Sequence, residues 1–274
     1  MGDHSQDDQS QNYRDILLEI DGPIATIRFN RPKSFNAMTV GMLAETRDAL
    51  DRVALIDSVR VVLITGTGRA FSAGADLAAT LAALPVDADG KPDLGHLLEA
   101  YYNPLVSRMR SLPQPVIAVV NGVAAGGASS LAFAADLTLA ARSASFVQAF
   151  VNVALIPDVG GSWSLPRALG RQRAMGHALL GSSLSAQQAQ EMGLIWAVAD
   201  DDKLAEEALA LASKLAAGPR TSIRAIKHAI NAAAEQPFDH QLALEQRLQA
   251  ECGRSPDFVE AARAFVEKRK PSFK

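Results

Sequence analysis

The 274-residue chain has one cysteine, Cys252, which excludes an intrachain disulfide framework and any cysteine-rich metal site. A lone thiol suits a reducing cytoplasm, the expected location. Excess charge of either sign is also missing. The 27 Lys and Arg against 30 Asp and Glu leave a formal net charge of −3, which argues against bulk affinity for nucleic acid or membrane surfaces. A polyanionic ligand would have to meet a local basic patch. The most apolar stretch, Pro115 to Ala141, is broken by Asn121, Gly122, Gly126, Gly127 and Asp136, so it makes a poor membrane span. Solenoid repeats, heptads and low-complexity tracts are absent. Residues 1–12 are polar and acidic, without the basic and apolar regions of a secretory signal, and are predicted to form a disordered tail.

Most catalytic signatures are missing too. There is no Gly-x-Ser-x-Gly elbow, no Walker glycine loop, no His-Glu-x-x-His and no cluster of metal ligands, so no metal site is expected. The histidines His4, His96, His177, His228 and His240 are scattered along the chain and read as structural or surface residues.

The residues present suffice for a large core, since 48% are hydrophobic and 21% charged. Ile16–Ile20 and Ile24–Asn30 flank Asp21-Gly22 and predict a β-hairpin. Thr39 can cap a helix carrying Met42, Leu43, Leu50, Val53 and Ala54. Buried strands are predicted at Val59–Ile64, Val116–Val120 and Leu137–Ala141, with a short strand at Leu194–Ala199. A helix is expected through Tyr101–Met109, and the region from Leu84 to Leu94 reads as a surface loop. From Leu165 onward the pattern is helical. The alternation implies a layered α/β domain with parallel pairing. The division expected is a core over 13–205 and a C-terminal helical region over 206–274.

Three small-residue loops carry the available chemistry. Ala73-Gly74-Ala75 and Gly126-Gly127 each follow a strand and lead into a helix, where backbone N–H groups can be left free. Two such donors converging on one oxygen would form an oxyanion hole; the alternative is close helix–sheet packing that tolerates only small side chains. In the third loop, Ile156-Pro157-Asp158-Val159-Gly160-Gly161, Asp158 is either a turn residue or a carboxylate in an apolar setting, raised toward the range of a general base.

A wider set of residues then comes into line. It runs through Asn30-Arg31-Pro32, Asn36-Ala37, Ile64-Thr65-Gly66, Gly68 to Leu77, Pro115 to Gly122, Pro157-x-x-Gly160-Gly161 and Ala264 to Lys270. From about residue 16 to the end, the chain resembles the crotonase (enoyl-CoA hydratase/isomerase) superfamily. The resemblance implies a crotonase-like spiral of ββα units, C-terminal helices that form a homotrimer, often a dimer of trimers, and an acyl-CoA thioester substrate. It also implies that the N–H groups of Ala75 and Gly127 hold the thioester oxygen. Substrate or CoA contacts are implied for Asn36, Ala37, Met38, Ala73, Asp76, Leu77 and Phe150, and for Phe265 and Lys268 of a neighbouring subunit. Tyr101 and Tyr102 are further candidates for the acyl pocket.

The departures from the family pattern bear on the reaction. Hydratases of this family carry two catalytic glutamates; the matching positions here hold Ser130 and Phe150, and neither can activate water as a carboxylate does. A carboxylate does stand at Asp158, where some family isomerases and an aryl-CoA dehalogenase carry theirs. Runs such as Tyr102-Asn103-Pro104-Leu105-Val106 and Leu155-Ile156-Pro157-Asp158 resemble most the branch of ring-1,2-epoxyphenylacetyl-CoA isomerases.

The resulting expectation is an acyl-CoA isomerase with Asp158 as its acid/base. It would convert 1,2-epoxyphenylacetyl-CoA to oxepin-CoA, or 3-enoyl-CoA to 2-enoyl-CoA, with no cofactor beyond the CoA of the substrate and no nucleic-acid or membrane partner. The rivals are a fatty-acid Δ3,Δ2-enoyl-CoA isomerase, an enoyl-CoA hydratase, a dehalogenase and a non-catalytic CoA-thioester-binding protein. Asp76 and Asp136 also read as hydrogen-bonding residues at loop and strand ends, Trp163 and Trp196 as packing residues, and Cys252 as inert.

Overall fold

The computed structural model describes residues 13–273; the tail expected over 1–12 lies outside them. The chain opens with a hairpin, β1 (Ile16–Asp21) and β2 (Ile24–Phe29), in which Asp21 pairs with Ile24 across a two-residue turn. Helix α1 (Val40–Ala54) follows, with Thr39 Oγ1 accepting the Met42 N–H at 3.1 Å. Its buried face is Met42, Leu43, Thr46, Ala49, Leu50 and Val53, the three-and-four spacing of a helix against a sheet.

Next come three repeats of one pattern. β3 (Val61–Gly66), β4 (Ala70–Ser72) and α2 (Leu77–Ala83) form the first. After α3 (Leu94–Leu97), a π turn over Leu98–Tyr102 and α4 (Asn103–Ser111), the second is β5 (Val116–Val120), β6 (Val123–Ala125) and α5 (Gly127–Phe133). The third is β7 (Leu137–Ala141), β8 (Ser145–Val147), a 3-10 turn over Ala149–Val153 and α6 (Gly161–Leu169). Each long strand enters one sheet and the short strand after it enters a second. The chain therefore spirals, as the resemblance implies.

The remaining elements are α7 (Arg171–Leu180), β9 (Ser183–Ser185), α8 (Ala186–Glu191), β10 (Ala197–Ala199), α9 (Leu204–Ala216), α10 (Arg220–Ala233), α11 (Phe238–Gly253) and α12 (Pro256–Val266). The larger sheet has the order β1-β2-β3-β5-β7-β10 and is parallel from β2 onward; the smaller has the order β4-β6-β8-β9. In β3 and β5 every residue is buried, which is why both read as unbroken apolar runs. The division expected after residue 205 falls inside α9. Its Leu204, Ala208, Ala212 and Ala216 belong to the core cluster, so the helices that stand away from that core begin at α10.

Helix α10 is pinned to the core by one buried cation. Lys227 Nζ lies 2.7 Å from Asp136 Oδ2 and donates to the carbonyls of Met109 (2.9 Å) and Gln114 (3.0 Å). Asp136 also accepts the Val116 N–H at 2.7 Å, the strand-end role expected of it. Trp163 is packed between the guanidiniums of Arg110 and Arg167, whereas Trp196, expected to be a packing residue, is 61% exposed on this subunit.

Candidate active site

The site begins with a loop that one side chain holds together. After the 3-10 turn Pro32–Ser34, Phe35 and Asn36 both take positive φ, a conformation asparagine tolerates well. The Asn36 side chain accepts the Arg31 N–H at 2.9 Å and donates to the carbonyls of Thr67 (2.9 Å) and Ala70 (2.8 Å). Asn36 is fully buried and its amide is spent on the loop. Those bonds hold the neighbouring Ala37 and Met38 in place.

Two residues on, Met38 pairs with the second loop. Its N–H donates to Gly74 O at 2.7 Å and its carbonyl accepts from the Asp76 N–H at 2.9 Å, a parallel bridge with Ala75 between the two bonds. The Ala75 N–H has no acceptor among the described residues. Gly74 sits at φ +90, and a Cβ there would stand 2.7 Å from the carbonyl oxygen of Ala125, so this loop presses directly on the third segment. There Gly126 takes φ +54, and Gly127 opens α5 with its N–H likewise free among the described residues. Both small-residue loops pack closely, and both leave a free donor. The two readings of the sequence are compatible.

Asp158 adjoins Gly127 in space. Its loop is forced: Val159 takes φ +53, unusual for a β-branched residue, Gly160 takes φ +79, and Gly161 N–H donates back to Asp158 O at 2.7 Å. The carboxylate oxygen Oδ1 is buried without a hydrogen-bond partner among the described residues. Burial raises the Asp158 pKa from 3.8 to about 6. The Tyr102 phenol is pushed up to about 12, first by burial and then by the charge of Asp158.

These pieces enclose a cavity of about 120 Å³, lined by Met38, Ala73–Ala75, Leu77, Tyr102, Gly126, Gly127, Ala149, Phe150, Val153, Leu155 and Asp158. Among the described residues, Asp158 and Tyr102 bring the only ionisable side chains to it. Ser130 is fully buried and turned toward Gly161 instead, while Phe150 presents an apolar ring. Tyr101 packs against the core and does not line the cavity. Asp76 caps α2 through the Ala79 N–H (3.1 Å) and pairs with Arg31 (3.0 Å); those two interactions hold its carboxyl below the usual range, and it too stays off the lining. Ala37 gives its carbonyl to Arg31. Phe265 is 85% exposed at the end of α12, and neither it nor Lys268 lines the cavity. His96, in α3, is exposed and away from the cavity. A larger hollow of about 710 Å³ lies between α4 and α10–α11, but its buried ionisable group, Lys227, is already paired with Asp136. No cluster of metal-binding side chains occurs among the described residues.

Comparison with known proteins agrees with this architecture. Residues 19–274 match the family described as Enoyl-CoA hydratase/isomerase. The chain is 48% identical to the 1,2-epoxyphenylacetyl-CoA isomerase of Escherichia coli (strain K12), over 94% of this chain and 97% of that protein. It is 42% identical to a probable enoyl-CoA hydratase of Rhodobacter capsulatus, over 96% of this chain and 98% of that one. The crystal structure of an enoyl-CoA hydratase from Bacillus anthracis superposes with a TM-score of 0.88 at 32% identity, covering 95% of this chain and 99% of that one.

Proposed function

The chain belongs to the enoyl-CoA hydratase/isomerase (crotonase) family, and from that premise we propose that it is an acyl-CoA isomerase working with one carboxylate, Asp158, and two backbone donors, the N–H groups of Ala75 and Gly127. The observation that carries this reading is the unpaired, buried Oδ1 of Asp158, the one carboxylate on a cavity that also holds two free N–H groups among the described residues. With the thioester oxygen between those donors, negative charge developing on it is stabilised by preorganised dipoles, and the C2 proton becomes removable near neutral pH. Asp158 takes that proton and returns it elsewhere on the same acyl group. In a 3-enoyl-CoA it goes to C4 as the double bond moves from C3–C4 to C2–C3. In 1,2-epoxyphenylacetyl-CoA the ring bond shared with the epoxide opens, and the proton returns to a ring carbon of the oxepin. No atom is gained or lost, so one acid/base suffices.

Hydration is the less favoured reading, although relatives carry that name. Adding water calls for a base and an acid on opposite steps, and the two family positions that would supply them are the buried Ser130 and the apolar Phe150. The aromatic acyl group is preferred because of the epoxyphenylacetyl-CoA isomerase relative. Exposed apolar residues on the C-terminal helices, Ile226, Ile230, Phe258 and Phe265, support the homotrimer or dimer of trimers, in which Phe265 and Lys268 would reach a neighbour's CoA.

The test is turnover of 3-hexenoyl-CoA, crotonyl-CoA and the ring epoxide by wild type and Asp158→Asn. Isomerisation of the first and third that vanishes in the variant, with CoA-thioester binding retained and negligible hydration of crotonyl-CoA, is the expected result. Robust hydration, or isomerisation untouched by the substitution, overturns it. Binding without turnover in wild type supports the non-catalytic rival.

A further inference from the structure

We propose that Ser129 and Gln148 act as positioning residues that polarise the Gly126–Gly127 peptide and so strengthen the Gly127 N–H as a donor; the inference rests on the role given to Gly127 above. The carbonyl oxygen of Gly126 accepts three hydrogen bonds, from the N–H groups of Ser129 (3.0 Å) and Ser130 (3.3 Å) and from the Ser129 hydroxyl (2.8 Å). That carbonyl and the Gly127 N–H belong to one planar trans amide and point in opposite directions. Whatever draws electron density onto the oxygen leaves the N–H more positive and fixes its aim into the cavity. Hydrogen bonds in series reinforce one another.

The direction of the relay comes from proton counting. A serine hydroxyl has one proton, and 2.8 Å between its oxygen and a carbonyl oxygen requires that proton to lie between them. The Gln148 group 3.0 Å from Ser129 Oγ must therefore be the amide nitrogen, which donates while Ser129 passes its own proton on. Gln148 Oε1 is left buried with no partner among the described residues. An amide turned this way keeps its donor engaged at the expense of its acceptor. Ser129 and Gln148 are 0% and 1% exposed, so water does not compete for either. The backbone holds both ends, with Gln148 N–H on Ser182 O (3.0 Å) and Gly126 N–H on Val147 O (2.9 Å).

The probe is a cinnamoyl-CoA thioester, whose conjugated absorption moves to the red when its carbonyl oxygen is hydrogen-bonded. Wild type is expected to give the shift. Ser129→Ala should shrink it and lower kcat on 3-hexenoyl-CoA about three- to tenfold, the loss expected when a hydrogen bond behind the donor is removed. KM and the pH profile should stay as they are. Gln148→Met should move both readouts the same way by less, and the double variant should be no worse than Ser129→Ala, since the two act in one chain. Ser129→Cys, which keeps a side chain in the space but donates weakly, gives the same comparison should the alanine variant fold poorly. A full red shift and full kcat in a folded Ser129 variant overturn the relay alone. A fall in melting temperature or a rise in KM with the shift intact also overturns it and assigns the pair to packing. No red shift in wild type overturns the donor role of Gly127 itself.

Discussion

Asp158 Oδ1 lies 3.3 Å from the point where a methyl group on residue 127 would stand, with Val159 Cγ2 at 3.1 Å and Met38 Cε at 3.5 Å from the same point. The proposed acid/base and backbone donor thus share one space, and glycine at 127 is the residue that allows them to approach. Gly127→Ala keeps the N–H but pushes the Asp158 loop outward. The expected outcome is a loss of kcat of about three- to tenfold, because these neighbours need give by only a few tenths of an ångström, less than the ~1 Å misplacement that costs about a hundredfold. Steady-state kinetics with 3-hexenoyl-CoA, beside a thermal melt showing a folded protein, checks it.

The raised pKa of Asp158 sets the pH dependence of both activity and stability. A base must be ionised to accept the C2 proton, so kcat/KM should rise with pH through about 6 and then level off. A profile flat from pH 5 to 8 would contradict the assignment.

Stability runs the other way. The folded value of about 6 lies above the unfolded 3.8, so between these pH values the folded state binds more protons and loses stability as the pH rises. Above pH 6 the ionised, desolvated carboxylate weighs against the fold by up to about 3 kcal/mol. Asp158→Asn should therefore be inactive yet more stable than wild type at pH 8, with the difference fading toward pH 4. Urea unfolding at the two pH values measures it.

Asn36→Ala removes three hydrogen bonds, taking the side-chain partner from the Arg31 N–H and the Thr67 carbonyl, while the Ala70 carbonyl keeps a 3.4 Å bond from the Asn121 amide. Losing a buried partner costs about 1–3 kcal/mol per group, so the protein should be destabilised by a few kcal/mol. Because Asn36 holds the loop that places Ala75, kcat should also fall where the variant is still folded. An unchanged melting temperature would contradict this account.

Lys227→Ala leaves Asp136 buried without its cation and should destabilise by about 3–5 kcal/mol. Turnover per folded molecule at low temperature should match wild type, since neither residue touches the cavity. Chemical denaturation, together with activity measured well below the variant's melting point, separates the two effects.

The elements legible in the sequence are those long enough to show a period or a full apolar run: the β1–β2 hairpin, α1, β3, α4, β5, β7 and the helical stretch after Leu165. The four strands of the second sheet, β4, β6, β8 and β9, have three residues each, too few for alternation to register. The π turn over Leu98–Tyr102 rotates the helical face from one end of the segment to the other, which is why spacing alone does not choose between Tyr101 and Tyr102. The glycine loops are legible as loops that can free donors. Asp158 is legible as a candidate, but its isolation depends on chain segments far apart in sequence. The resemblance implies a ligand contact at Asn36, whereas two of its three hydrogen-bond partners, Thr67 and Ala70, lie 31 and 34 residues away, beyond the reach of any local pattern.

Ser130 stands where the resemblance places a hydratase glutamate, and its hydroxyl lies only 2.4 Å from the point where a Cβ on Gly161, the residue that closes the Asp158 loop, would stand. Gly161 is what lets the start of α6 lie against Ser130: a Gly161→Ala substitution would have to displace Ser130 or the loop that carries Asp158. A side chain at 161 would thus disturb Asp158 through packing alone, from a position that does not line the cavity.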